Sequence, residues 1–308
     1  MKPFMTDLNR LLARQNFKDE KELQAFLDTL SEQSLNDLPQ MDLTPEEQAQ
    51  DLVFEAYQLT TAKAKKNIEK ALVLDPNCIE AYEYLASRAR KIENALELIE
   101  KGISIGREKF GGKFLEECKG MFWGIHETRP FMRCLKSKAE IFVAMRKTAE
   151  GVAIMEELLE LNEGDNQGVR FQLLSALLRL GETEKFKKYD KMFADEIDST
   201  PMLYSRALFA FITEGDSANA QKILKNALKE NPFVIALLFD ENFQFQEIES
   251  YSPGSPEEAY AYLIHALFAW SEIEGAMEWV MNTIKKNLGK NGLPHDPSTP
   301  NRQKRRPL

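Results

Sequence analysis

One spacing of small and large apolar residues occurs at least twice, and it limits the folds open to this chain. A small, a large and a second small residue lie four and three positions apart, and a proline follows the last one after five residues. The residues are Ala220, Leu224 and Ala227 before Pro232, and Ala64, Ile68 and Ala71 before Pro76. Small side chains let two helices approach closely, the larger one fills the gap, and proline ends the helix. The spacing therefore predicts stacked helical hairpins.

The turns between the predicted helices give the period of the array. They fall at Lys147, Gly181 and Gly215, which are 34 residues apart at each step. This is the period of the tetratricopeptide repeat, whose second helix carries the same spacing of alanine, large residue and proline. Two of the three turn residues are glycine, which helix ends commonly require for a left-handed conformation. We expect an all-α fold, a tetratricopeptide-like right-handed superhelix of about six helical hairpins with two irregular insertions.

The apolar pattern divides the chain into three parts. They are a short helical N-terminal segment and linker at 1–43, the helical array at 44–288, and a basic tail at 289–308 with the composition of disorder. The array begins with Thr44 as N-cap and Pro45 as first helical residue, and Asp19 is expected to cap a helix of the N-terminal segment. The insertions of about 20 residues lie at about 106–130 and 231–255.

The predicted hairpins follow from these signals. They pair Pro45–Leu59 with Ala62–Leu74, Cys78–Ala89 with Ile92–Ile105, Pro130–Met145 with Thr148–Leu161, Asn166–Leu180 with Thr183–Ala194, Pro201–Thr213 with Ala218–Glu230, and Pro256–Trp270 with Glu274–Asn287.

Composition excludes several classes of function. A formal charge of -9 argues against a nucleic-acid binder. Three cysteines without a C-x-x-C pair indicate reduced thiols rather than a disulfide framework or a zinc site. The first residues lack the apolar core of a secretory signal, and no apolar run approaches the roughly 20 residues that cross a bilayer. We expect a cytoplasmic protein without a transmembrane segment.

Two blocks are more specific than the repeat pattern: EECKGMFWGIHETRPFMR at 116–133 and LNEGDNQGVR at 161–170. They resemble blocks of a branch of bacterial tetratricopeptide proteins, which are similar in turn to the suppression-of-tumorigenicity-7 family. The resemblance spans about Ala49–Lys286 and includes NPFVIALLF and YSPGSPEEA. It departs at Glu163 and Gly164, where the family more often has Pro and Asn. No biochemical activity is assigned to this family, so the resemblance implies a fold and says little about function.

No complete catalytic or metal-binding motif is present. His126 and Glu127 begin the pattern H-E-x-x-H, but its second histidine is replaced by Pro130. The stretch GREKFGGK has an extra glycine before its lysine and no hydroxyl residue after it, so it does not match a phosphate-binding loop. We expect a non-enzymatic protein without cofactor or metal.

The first helix of each hairpin lines the concave side of such an array, and several predicted first helices carry polar residues near their start. We expect this row to bind the carboxylate of a peptide or an acidic segment of a partner protein through charge-assisted hydrogen bonds. The candidate residues are Arg129, Arg133, Asn166, Arg170, Tyr204 and Arg206. The alternative is that Arg129 and Arg170 pair internally with Glu127 and Asp165 and have a structural role.

Two further hypotheses concern other surfaces. The chain is a self-associating adaptor or regulatory protein if the aromatic insertion Phe233–Tyr251 and the terminal Trp270 and Trp279 form an interface; the alternative is that these tryptophans cap the core. A cluster of cations near the C-terminus would attract an anionic partner in a salt-sensitive way, or only add solubility. The cluster consists of Lys285, Lys286, Lys290, Arg302, Lys304, Arg305 and Arg306.

Overall fold

The computed structural model describes residues 8, 10–12, 14–15, 17–31, 42–194, 199–244, 248 and 250–288. Within these ranges the chain is helical and contains no β-strand, which confirms the all-α prediction. The chain divides into unit 1, Met1–Ile141, and unit 2, Phe142–Leu308. The predicted basic tail at 289–308 lies outside the described residues.

The helices are numbered here in chain order. They are α1 (Glu20–Ser31), α2 (Pro45–Ala56), α3 (Thr61–Leu74), α4 (Ile79–Ser87), α5 (Ile92–Lys109), α6 (Gly112–Cys118), α7 (Arg129–Ala144), α8 (Thr148–Leu161), α9 (Val169–Leu180), α10 (Thr183–Met192), α11 (Thr200–Glu214), α12 (Ala218–Glu230), α13 (Phe233–Leu238), α14 (Pro256–Glu272) and α15 (Ala276–Leu288). Two short 3-10 helices precede α7, at Phe122–Gly124 and His126–Thr128.

The predicted start signals occur as expected. Thr44 caps α2 with its side chain, and Glu47 returns a hydrogen bond to the Thr44 backbone, which completes a capping box. Asp19 accepts hydrogen bonds from the backbone N–H groups of Lys21 and Glu22 at the start of α1. These side chains satisfy N–H groups that have no partner inside the helix, so the helix boundaries follow from local sequence.

Unit 1 contains two of the predicted hairpins, α2 with α3 and α4 with α5, and α4 also contacts both α2 and α3. The small residues Ala49, Ala64 and Ala71 are fully buried between the helices, with Ile68 filling the space between them. This is the close packing that the spacing predicted.

The first insertion is more regular than predicted. Residues expected to be irregular extend α5 to Lys109 and form α6 and the two 3-10 helices. The cause is a cluster of four phenylalanine rings whose centroids lie 5.3 to 6.4 Å apart, which gives this segment a small core of its own. The rings belong to Phe110, Phe114, Phe122 and Phe131.

Unit 2 contains the hairpins α9 with α10, α11 with α12, and α14 with α15. Their first helices, α9, α11 and α14, all contact one another. In a linear stack of hairpins α11 would separate the other two, so this three-way contact is a feature that the repeat period did not predict. The second insertion adds α13, which packs on α14.

Both predicted turn glycines have a positive φ, but only Gly181, with a ψ of 18°, has the expected left-handed helical conformation; Gly215 has a ψ of -149°. Gly181 and Gly215 have φ angles of 71° and 65°. At the remaining turn Lys147 has a φ of -91°, and the preceding residue, Arg146, takes the left-handed place with a φ of 64°. The three turns therefore lie where they were predicted, and at the first of them the residue with positive φ differs by one position.

Candidate functional site

The predicted row of arginines is held by groups of the chain itself. In unit 1, Nε of Arg133 donates to Oε1 of Glu83 at 2.6 Å. Nε of Arg129 donates to the backbone carbonyl of Trp123 at 2.9 Å, and its guanidinium lies over the Trp123 ring. The predicted internal partner of Arg129 was Glu127, whereas the structure gives a carbonyl and a ring in the same insertion.

The arginines of unit 2 are also engaged. Nη1 of Arg170 donates to Oδ2 of Asp165 at 2.8 Å, as the structural alternative predicted, and the guanidinium lies over Phe171. Nε of Arg206 donates to Oδ1 of Asp190 at 2.6 Å. These pairs occupy the charges that a partner carboxylate would need.

The remaining members of the row differ from each other. Asn166 is exposed before the start of α9. Tyr204 is 0% exposed, and its hydroxyl donates to the carbonyl of Asn231 at 2.7 Å. The prediction that Tyr204 contacts a partner is therefore wrong, because this ring lies in the core of unit 2.

The two tryptophans of the self-association hypothesis lie inside the protein. Trp270 and Trp279 are buried, as the capping alternative predicted. The indole N–H of Trp270 donates to the Tyr262 hydroxyl at 2.9 Å, and that of Trp279 donates to Asp216 at 3.0 Å. Of the predicted aromatic insertion, Tyr251 remains exposed.

The basic cluster is only partly described. Lys285 is exposed, and Nζ of Lys286 lies 3.1 Å from Oδ2 of Asp216. The other predicted members, Lys290, Arg302, Lys304, Arg305 and Arg306, lie outside the described residues.

The distinctive blocks of the sequence have structural roles. The buried carboxylate of Asp165 accepts hydrogen bonds from the backbone N–H groups of Val169 and Arg170 at 2.7 and 3.0 Å, at the start of α9. Burial raises the pKa of Asp165, while these N–H groups and the Arg170 guanidinium act in the opposite direction. In the other block, the Thr128 hydroxyl is buried against the carbonyls of Phe122 and Ile125.

The segments NPFVIALLF and YSPGSPEEA meet at the buried carboxylate of Glu258. Its Oε2 accepts hydrogen bonds from the Thr200 hydroxyl at 2.7 Å, the Gly254 N–H at 2.6 Å and the Asn231 side chain at 3.4 Å. Glu258 lies in the first turn of α14, where the helix N-terminus favours a negative charge. All four segments therefore build turns and helix starts.

A group of partly buried charges lies elsewhere, on unit 1. Oε1 of Glu80 on α4 accepts a hydrogen bond from Nε2 of Gln50 on α2 at 2.6 Å. Residues three or four positions apart share one side of a helix, which places Gln50 and Asp51 on the side of Glu47, and Glu83 beside Glu80. We call this set the unit 1 polar face; it consists of Glu47, Gln50, Asp51, Glu80, Glu83 and Arg133.

The N-terminal segment places an arginine on the unit 1 polar face. The Arg10 side chain is 7% exposed, and Nη1 donates to Oδ1 of Asp51 at 2.8 Å. Its Nη2 donates to Oε1 of Gln50 at 2.9 Å and to the backbone carbonyl of Glu47 at 3.1 Å. Arg14 pairs with the Glu47 carboxylate. This contact was not predicted, because no local pattern links residues 41 positions apart, such as Arg10 and Asp51.

The electrostatics of the unit 1 polar face favour a cation. Four of its members are carboxylates and one is an arginine. Burial raises the pKa of Glu80, an effect that the hydrogen bond from Gln50 opposes. Burial alone would lower the pKa of Arg133, but the hydrogen bond and charge of Glu83 raise it above its usual value. A carboxylate that is costly to keep charged is stabilised by a second positive charge nearby.

A cavity of about 240 Å³ adjoins Arg10. It lies between the N-terminal segment, the start of α2, the start of α4 and the first insertion. Its polar lining includes Glu46, Asp75, Lys109 and Glu127 in addition to members of the unit 1 polar face. The cavity gives room for polar groups beside the bound guanidinium.

Among the described residues, no group of three or more His, Cys, Asp and Glu side chains is placed to hold a metal ion. None of the helices in that part of the chain has the length and apolar character needed to span a membrane.

Cys78 and Cys134 are buried and Cys118 is partly exposed, all as free thiols. Burial raises the pKa of Cys78 to about 12, which makes this thiol a poor nucleophile at neutral pH.

Comparison with known proteins adds no assignment: no protein-family model matches the chain, and no significant match to a curated protein is found. The resemblance to the suppression-of-tumorigenicity-7 family stays a prediction.

Proposed function

We propose that this chain is a non-enzymatic scaffold that binds a segment of a partner protein, and that the unit 1 polar face is the contact surface. The observation that carries the proposal is the buried Arg10 guanidinium, held on this face by a carboxylate, an amide and a carbonyl. A tetratricopeptide-like superhelix, the family resemblance, a bacterial origin and a cytoplasmic location belong to the same proposal.

Rigid support is what such a face requires. The residues of the unit 1 polar face project from α2, α4 and α7, and the backbones of α2 and α4 are fixed by alanine-sized contacts in the core below. Side chains on packed helices lose little freedom when a ligand binds, so more of the contact energy appears as affinity.

Unit 2 is a poorer candidate. The three-way contact of α9, α11 and α14 fills its interior, and Tyr204 lies within ring-packing distance of Tyr262 and Trp270, with centroids 5.8 and 6.4 Å away. The aromatic side chains of the first helices in unit 2 therefore pack against one another. In an open array such side chains would be available to contact a ligand.

The chemistry of the partner differs from the sequence prediction. The predicted arginines already hold carboxylates or carbonyls of this chain, whereas carboxylates outnumber cations among the array residues of the unit 1 polar face. We therefore propose a partner segment that offers a positive charge instead of a carboxylate.

A site-specific photo-crosslinker tests this proposal. At the test position it replaces Tyr57, which is half-exposed and lies beside the unit 1 polar face, with its ring centroid 5.0 Å from that of Tyr84. At the comparison position it replaces the exposed Lys65 on α3. After irradiation in extract of the source cells, we expect one discrete crosslinked protein from position 57 and none from position 65.

Neutral isosteres supply the matched control. Asp51→Asn with Glu80→Gln should lower the yield from position 57 at least about tenfold, since each lost charge-assisted hydrogen bond contributes about 1.5–3 kcal/mol. Glu69→Gln with Glu117→Gln changes the net charge equally at two exposed positions on α3 and α6 and should leave the yield unchanged. Equal crosslinking from both positions, or equal loss in both double variants, would contradict the proposed function.

A further inference from the structure

The N-terminal segment is linked to the array through its arginines. Arg10 and Arg14 together meet Asp51, Gln50 and Glu47 of α2. Leu11 is the one clearly buried apolar side chain among the described residues of this segment, and the cluster of buried residues around α2, α3 and α4 includes none of it. The attraction between buried charges is largely offset by the cost of removing them from water, so these contacts contribute little net stability.

A segment that served only to cap the array would be built differently. A cap covers apolar surface, and burying a guanidinium for that purpose has a large desolvation cost. Here the Arg10 guanidinium is almost fully buried, and both of its Nη atoms donate hydrogen bonds: Nη1 to Asp51, and Nη2 to Gln50 and the Glu47 carbonyl. This fork geometry fits an arginine and does not fit a lysine, whose ammonium is a single point.

We propose that the N-terminal segment is an intramolecular occupant of the unit 1 polar face, and that an arginine-bearing segment of the partner protein replaces it. This inference rests on the proposed function and names the chemistry of the partner: an arginine flanked by polar or basic residues. Binding in the same chain competes with binding from solution, because the tethered segment has an effective concentration on the order of millimolar.

The size of this competition sets the expected effect. For a segment that binds from solution with a Kd of roughly 0.1 mM, a tethered copy at roughly 1 mM lowers the apparent affinity of any competitor about tenfold. The segment therefore increases binding specificity. A partner with a single weak arginine contact does not displace it, whereas a partner with additional contacts does.

The test uses the full-length chain and a fluorescent peptide of residues 1–17, MKPFMTDLNRLLARQNF. Fluorescence anisotropy measures its binding to the wild type and to the variant Arg10→Ala with Arg14→Ala. We expect the variant to bind the peptide about tenfold more tightly than the wild type. Adding Asp51→Asn and Glu80→Gln to the variant should abolish this binding, and a peptide with Arg10→Lys should bind more weakly.

Lys18→Ala is the matched control, since the Lys18 side chain is exposed and lies 3.9 Å from Glu22 of its own segment. It should behave as the wild type. Circular dichroism of each variant establishes that the helices are intact, and an Arg10→Lys chain, which keeps the charge, provides a milder second variant with an intermediate affinity. Equal peptide affinity of wild type and double variant, or no binding to the double variant, would overturn the inference.

The two proposals fail separately. If crosslinking from position 57 is present and the arginine substitutions leave its yield unchanged, the partner does not compete with the N-terminal segment, and the inference is wrong while the function stands. If the crosslinker at position 57 yields no discrete product in the chain with Arg10 and Arg14 intact or in the chain with both replaced, the proposed function itself is wrong.

Discussion

The close contact between α5 and the start of α7 predicts that Gly106→Ala destabilises the protein, although helix propensity alone predicts that it stabilises the helix. Gly106 lies inside α5 and is buried. A Cβ atom added there would lie 2.6 Å from Cγ and 2.9 Å from Cβ of Phe131, well inside the 3.4–4 Å of an ordinary contact. Phe131 cannot move aside easily, because its ring packs on Phe110 and Phe122 in the phenylalanine cluster.

The magnitude follows from two opposing contributions. Replacing glycine by alanine inside a helix stabilises it by about 1 kcal/mol. Overpacking a filled core costs about 1–3 kcal/mol and sometimes more, and the overlap with Phe131 places Gly106→Ala at the upper end. We expect a net loss of about 2 kcal/mol of unfolding free energy for unit 1, from a cost of about 3 and a gain of about 1.

Hydrogen exchange followed by mass spectrometry measures this effect within α5. A loss of about 2 kcal/mol corresponds to exchange about 30-fold faster for amides that exchange through unfolding of the unit. Gly102→Ala is the matched control in the same helix: its added Cβ would lie 3.0 Å from the Cys134 sulfur and 3.4 Å from Ile79, so a small overlap should nearly cancel the helix gain. A Gly106→Ala chain as stable as the wild type, or more stable, would refute the packing argument.

Three further predictions concern buried charges and thiols. Asp165→Ala removes the acceptor of the Val169 and Arg170 backbone N–H groups at the start of α9, and should lower the unfolding free energy by about 1–3 kcal/mol in a urea titration. Because burial raises the pKa of Glu80 above its usual 4.5, the folded chain binds this proton more tightly than the unfolded chain, and stability falls as the pH rises through that raised value. Glu80→Gln should therefore be more stable than the wild type at pH 7 and lose that advantage near pH 4, as measured by thermal unfolding across pH. In a thiol-reagent assay at pH 8 the partly exposed Cys118 should react first, while Cys78, with a pKa of about 12, should react only after unfolding.

The helices were predictable because their signals are local. The capping box at Thr44 and the left-handed glycine at Gly181 lie within a few residues of the boundaries they set. The exception at Arg146 is informative: the helix end needs one left-handed residue, and the sequence period does not say which of two neighbours adopts it.

The binding surface was less predictable because its contacts join distant parts of the chain. Arg133 and Glu83 are 50 residues apart, and Arg10 and Asp51 are 41 apart. Sequence spacing placed the arginines on first helices, but it carried no information about which carboxylates face them. The same limit applies to Tyr204, whose burial depends on the position of α14.

The mutual contact of α9, α11 and α14 has a consequence for how such a chain can change length. A linear array grows by duplication, since each new hairpin only needs a neighbour on either side. In unit 2 a hairpin inserted between α11 and α14 would separate helices that share one core. We therefore expect gain or loss of whole repeats to be tolerated outside this unit, and the number of hairpins within it to be fixed by its own packing.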